Sequence, residues 1–110
     1  MKLRVENVEG SVRVDRIVPF AQNILQLAKQ HPRLHLNISR LEEIDLSFVH
    51  VIYAAKRWCD ANKVEFHLSG TVQESVGRKL VAGGFCDHIP QEAADLEANL
   101  VGFSAGDDNG

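Results

Sequence analysis

The sequence predicts an α/β domain of two layers, in which a mixed sheet of four to five strands carries helices mainly on one face. Three patterns predict it. Short stretches alternate apolar and polar side chains, as half-buried strands do. Longer stretches repeat apolar residues every three or four positions, as amphipathic helices do. The two kinds alternate along the chain, and strand-helix-strand order is how parallel strands are connected.

Leu3 and Val5, then Val12 and Val14, alternate with Lys2, Arg4, Ser11 and Arg13, and Glu9-Gly10 lies between them as a turn signal. An opening hairpin or two short strands is expected, with one wet face. From Ile17 the period changes. Ile17, Phe20, Ala21, Ile24, Leu27 and Ala28 form one helical face, opposite Gln22, Asn23, Gln26, Lys29 and Gln30. Asp15 is the expected cap near its start, Pro19 suits a first turn, and His31-Pro32 is the stop.

Leu34, Leu36 and Ile38 alternate with His35 and Asn37, which marks a half-buried strand. The stretch 41–61 then delivers the chain into a second helix, whose apolar stripe is Phe48, Val51, Ile52, Ala55 and Cys59. Asp45 or Ser47 stands where the first helical amides lack partners, so either serves as its cap. Cys59 falls on the buried side, as a small hydrophobe and not a reactive thiol. Val64, Phe66 and Leu68 make another strand, broken by Ser69-Gly70-Thr71. Val72, Val76 and Leu80 trace a third helix, weakened at Gly77 by about 1 kcal/mol relative to alanine and stopped by Gly83-Gly84. Phe85 is expected to fold back on the core, His88-Ile89 to open a last short strand, and residues 91–101 to form a final helix. The expected domain is 1–101, with 102–110 as a flexible tail too polar to offset its ordering entropy.

Composition narrows the function. With 110 residues, 45% of them hydrophobic, the chain has material for one core. A net charge of -3 provides no electrostatic reason to expect nucleic acid or an anionic membrane as partner. The start does not resemble a signal peptide, no run approaches the roughly 20 apolar residues of a membrane span, and two cysteines are too few for a disulfide scaffold. A cytoplasmic protein without membrane insertion is expected.

Chemical constellations are sparse. Of the five histidines, only His88 has a cysteine close by, at Cys86, and the paired spacings of a zinc site are missing. Ser47 has Asp45 and His50 nearby but no nucleophile elbow around it. No glycine pattern of a phosphate loop precedes a helix. Neither metal nor cofactor is expected.

The run LHLNISRLEEIDLSFVHVIYAAKRWCDANKVEFHLSG, followed by a helix ending in Gly83-Gly84-Phe85, resembles the STAS domain, named for sulphate transporters and anti-sigma factor antagonists. The match spans residues 34–85. In that family a strand leads into a loop of the form Asp-Ser/Thr-Ser/Thr-Gly-Leu and then a helix. Here the loop reads Asp45-Leu46-Ser47-Phe48-Val49, with leucine at the regulated hydroxyl position and phenylalanine in place of glycine. The resemblance implies a non-enzymatic protein-interaction module that engages an anti-sigma kinase or related signalling regulator through this loop and the adjoining helix. Glu43, Asp45, Ser47, His50 and Tyr53 are the implied partner-binding residues, although each taken singly is equally a cap or a solvated helix position. Leucine cannot accept a phosphate, so docking without the usual phospho-switch is expected, and Ser47 is the one remaining candidate for phosphorylation. The alternative is a cytoplasmic accessory subunit of a membrane transport complex.

Overall fold

The computed structural model describes residues 3–100 and 102–103. Strand β1 (Leu3–Val12) passes through a 3-10 turn (Val14–Arg16) into helix α1 (Ile17–Gln30). Strand β2 (Arg33–Ile44) then runs directly into helix α2 (Leu46–Ala61). Strand β3 (Glu65–Ser69) and helices α3 (Glu74–Ala82) and α4 (Ala93–Asn99) complete the chain.

Among the described residues the sheet has three strands, ordered β1-β2-β3 and parallel throughout. The expected four to five mixed strands are corrected to this smaller sheet, and two local readings account for much of the difference. The opening hairpin is one ten-residue strand, because β2 is long enough to pair with it along its whole length. Glu9-Gly10 is therefore not a hairpin turn. Gly10, at φ +73°, takes up register shifts between Asn7 and Glu9 and between Gly10 and Ser11. A glycine in that conformation serves a bulge as readily as a turn. His88-Ile89 forms no strand either, and an isolated antiparallel bridge between Thr71 and Glu92 lies near it.

The alternation in β2 and β3 does what it predicts. Leu34, Leu36, Ile38, Phe66 and Leu68 are buried, while His35, Asn37, His67 and Ser69 are half-buried on the other side. Ile24 and Leu27 of α1, Phe48, Ile52 and Cys59 of α2, and Val76 and Leu80 of α3 fill one shared core with them. Each such side chain contributes roughly 1.5–3 kcal/mol over its exposed state. Cys59 is fully buried and burial pushes its thiol up to about 11, so it packs as a hydrophobe.

The ends of α1 follow the sequence with one exception. The His31 amide donates to Leu27 O as α1 stops before Pro32. Asp15 lies inside the 3-10 turn and caps nothing. The residue before α1 is Arg16, which makes no side-chain cap. The turn is held instead by the Arg16 amide, which donates to Arg13 O at 2.8 Å, and by Asp45 at the end of the neighbouring strand β2. After β3, Gly70 adopts φ +90°, and a Cβ there would run into Ser39 Oγ and Asn37 Oδ1, so only glycine fits this close approach.

The last helix is shorter than the expected 91–101, and Val101 lies outside the described residues. So do 104–110 of the expected tail. Phe103, which the sequence places in that tail, is 3% exposed and sits edge-on to Tyr53 with ring centroids 5.4 Å apart. Glu97 of α4 closes the free edge of β3: its carboxylate accepts from the Leu68 amide at 2.8 Å and meets His67 Nδ1 at 3.1 Å. An edge amide bonded this way no longer offers itself to another chain.

Candidate interaction site at the start of α2

The start of α2 is built by Asp45. The strand leaves Ile44 in extended geometry, and the Asp45 side chain turns back so that Oδ1 accepts from the Ser47 amide at 3.0 Å and from the Ser47 hydroxyl. Its Oδ2 accepts from the Val14 amide at 2.9 Å. One carboxylate therefore caps α2 and ties it to the turn that follows β1. The Ser47 hydroxyl beside it holds the Asp45 carboxyl below the usual carboxylate range, and the amides of Val14, Ser47 and Phe48 add to this. The sequence offered either Asp45 or Ser47 as the cap, and the structure gives the role to Asp45.

The five implied partner-binding residues separate on this geometry. Asp45 and Ser47 are half-buried and bonded to each other. Glu43 is exposed at the end of β2 but turned toward β1, where it accepts from Ser11 Oγ at 2.8 Å and pairs with Arg13 at 3.8 Å. His50 is exposed one turn further on. Tyr53 is half-buried against Phe103, and burial raises its hydroxyl above the usual tyrosine range. The loop thus collects these residues along one end of α2 without directing all of them outward.

What the end of α2 does present is apolar. Leu46 is 54% exposed. Together with Val49 it forms one wall of an open groove of about 460 Å³, whose other wall is Lys79 and Leu80 of α3 with Gly83 and Phe85 just beyond it. Phe85 reaches this place because its amide turns back to Leu80 O at 2.9 Å beyond the Gly83-Gly84 stop. Lys79, which lines this groove together with Asp45, was not singled out by sequence reasoning. Its signal was available in the same helical turn as Leu80. Phe48, two residues on, is 2% exposed, with its ring centroid 5.7 Å from that of Phe20. It fills the space between α1 and α2, which is why a bulky residue is accommodated there.

Chemically the site can bind a surface. The Ser47 hydroxyl donates to a carboxylate, and His50 makes no hydrogen bond to Ser47 among the described residues. Among those residues no cluster of three or more His, Cys, Asp or Glu side chains is arranged to hold a metal ion. Nor is any of their helices long and apolar enough to cross a membrane.

No family model matches the chain, and no curated protein matches it. Among solved structures, it is similar to a sulfate transporter family protein from Wolinella succinogenes. The TM-score is 0.56 at 16% identity, over 76% of this chain and 67% of that one. Likeness at that identity is a statement about fold, and with the strand-loop-helix arrangement around Asp45 it gives this chain a STAS-like fold.

Proposed function

We propose that this STAS-like domain is a non-enzymatic interaction module of a signalling pathway, resembling an anti-sigma factor antagonist, that docks constitutively on a kinase or related regulator in the cytoplasm. The observation that carries this reading is the exposed Leu46 on a groove walled by Val49, Leu80 and Phe85, with Lys79 on its rim. An apolar centre flanked by a charge is the composition of a protein-binding patch. The position where a phosphate would act as a switch is occupied by a side chain suited to permanent contact. The neighbouring Ser47 hydroxyl is engaged with Asp45, so a phosphate on it would place about -1.5 to -2 charges against that carboxylate.

The test is a pull-down with regulators encoded beside this protein, comparing wild type with Leu46→Asp, Lys79→Glu and Ser47→Ala. Leu46→Asp is expected to weaken capture at least tenfold, Lys79→Glu less, and Ser47→Ala little. Full binding by Leu46→Asp would remove the groove as the interface. Phosphopeptide mass spectrometry of the native protein is expected to find Ser47 unmodified.

A second reading is an accessory subunit of a membrane transport complex, and the likeness to a sulfate transporter family protein favours it. Purification from native membranes separates the two. A transport ATPase retained through the Leu46 surface supports the second reading, and a kinase supports the first.

A further inference from the structure

The side of α1 next to its core face carries a second apolar stripe, which the groove at Leu46 does not use. Val14, Val18, Ala21, Leu25 and Ala28 follow one another at alternating steps of four and three residues, from the 3-10 turn to the last turn of α1. That spacing keeps them on one side of a helix over about 21 Å. Val14 is 70% exposed, Val18 61% and Leu25 39%. Ala28, at the end of the stripe, is 3% exposed and joins Ile24 and Leu27 in the core. Beside the stripe, Ala21, Leu25 and Ala28 form one wall of a groove of about 240 Å³, and Val51, Ala54 and Trp58 of α2 form the other. All its lining side chains are apolar, and contiguous apolar surface of this kind marks an interaction site.

We propose that this groove is the interface of a two-fold homodimer, in which α1 of each copy lies antiparallel against α1 of the other and inserts its stripe between the other's α1 and α2. The occupant is a second copy because the stripe is complementary to itself. With Ala21 facing Ala21 across the two-fold axis, the helices approach closely, Val18 meets Leu25 of the second copy, and Val14 lies over the last turn of its α1. The charges fit the same arrangement. Asp15 lies at the start of the stripe and Lys29 at its end; both are exposed, and neither has an ion-pair partner among the described residues. The antiparallel pairing brings each Asp15 within a turn of Lys29 of the second copy, twice per dimer. A two-fold interface repeats every contact in this way.

The stripe and the Leu46 groove lie on opposite flanks of α2, so this interface stands or falls separately from the proposed function. The experiment is sedimentation velocity of the full chain across micromolar to submillimolar concentration. Wild type is expected at twice the 12.2 kDa chain mass, and Leu25→Glu at the single-chain mass with an unchanged circular dichroism spectrum. Asp15→Lys should weaken association by about tenfold, the sum of two exposed pairs turned repulsive. Asp15→Lys combined with Lys29→Asp should restore it. A wild type that stays monomeric overturns the proposal, as does a Leu25→Glu variant that dimerises as tightly as wild type. A charge-swapped double variant no tighter than Asp15→Lys alone also overturns it, because the antiparallel register requires the rescue. Leu46→Asp should leave the dimer intact.

Discussion

The two flanks of α2 are made from one helix and differ in what they offer. Toward α3 the flank is short and mixed: Leu46 and Val49 face Lys79 and Phe85 across an open groove. Toward α1 it is longer and apolar from Val51 to Trp58, against Ala21, Leu25 and Ala28. Between them runs the buried ridge of Phe48, Ile52 and Cys59. A charge at a groove's rim selects among partners, whereas an apolar trough with ion-pairing residues only at its ends suits a surface matched to itself. The difference teaches that a helix with one buried ridge can present two independent surfaces, provided the ridge holds.

The largest expected effect comes from breaking the ridge. Phe48→Ala should destabilise the fold by about 3–5 kcal/mol, measured by chemical denaturation, and damage both flanks together because Phe48 also supports Phe20 of α1. Next come the changes that separate the flanks: Leu46→Asp is expected to lose partner capture and keep its association state, and Leu25→Glu to do the reverse. A variant of either kind that loses both properties with its fold intact would show that the flanks are coupled.

A smaller effect is expected at the end the flanks share. Asp45→Ala removes the acceptor for the Ser47 and Val14 amides and should lower Tm at neutral pH, while Asp45→Asn should lower it less. The sign with pH follows from the depressed carboxyl. Its contribution is present above the ordinary value of 3.8 and is lost as pH falls through the lower folded value. The Tm gap between wild type and Asp45→Ala should therefore close in acid.

The smallest effect lies away from α2, at His88, which joins Asp95 at 2.9 Å and Asp87 at 2.7 Å. These carboxylates, Asp95 foremost, raise the imidazole above its ordinary value of 6.5. Its contribution is complete below 6.5 and is lost as pH rises through the raised value. His35 has the opposite sign. Burial, and then His67 beside it, lower its value, so its contribution is present above 6.5 and is lost as pH falls through the lowered value. Thermal scans of His88→Gln and His35→Gln against wild type from mildly acidic to mildly alkaline pH should diverge in opposite directions.

Much of this was legible in the chain itself. Alternation at Leu34, Leu36 and Ile38 and at Phe66 and Leu68 determined two strands and their buried side, because side-chain direction in a strand has a period of two. The three- and four-residue steps from Ile17 and from Phe48 determined α1 and α2, and the polar entry at Asp45 marked the cap, because local hydrogen bonding needs no distant partner. Tertiary structure decided what depends on residues far away in sequence. Whether Glu9-Gly10 turns a hairpin or bulges a strand depends on whether β2 lies alongside. Whether Ser47 is a free hydroxyl depends on where Asp45 points, and the groove at Leu46 exists only because Phe85 folds back beside α2. Local periodicity is written in consecutive residues, whereas pairing and exposure are properties of neighbours that only the folded chain brings together.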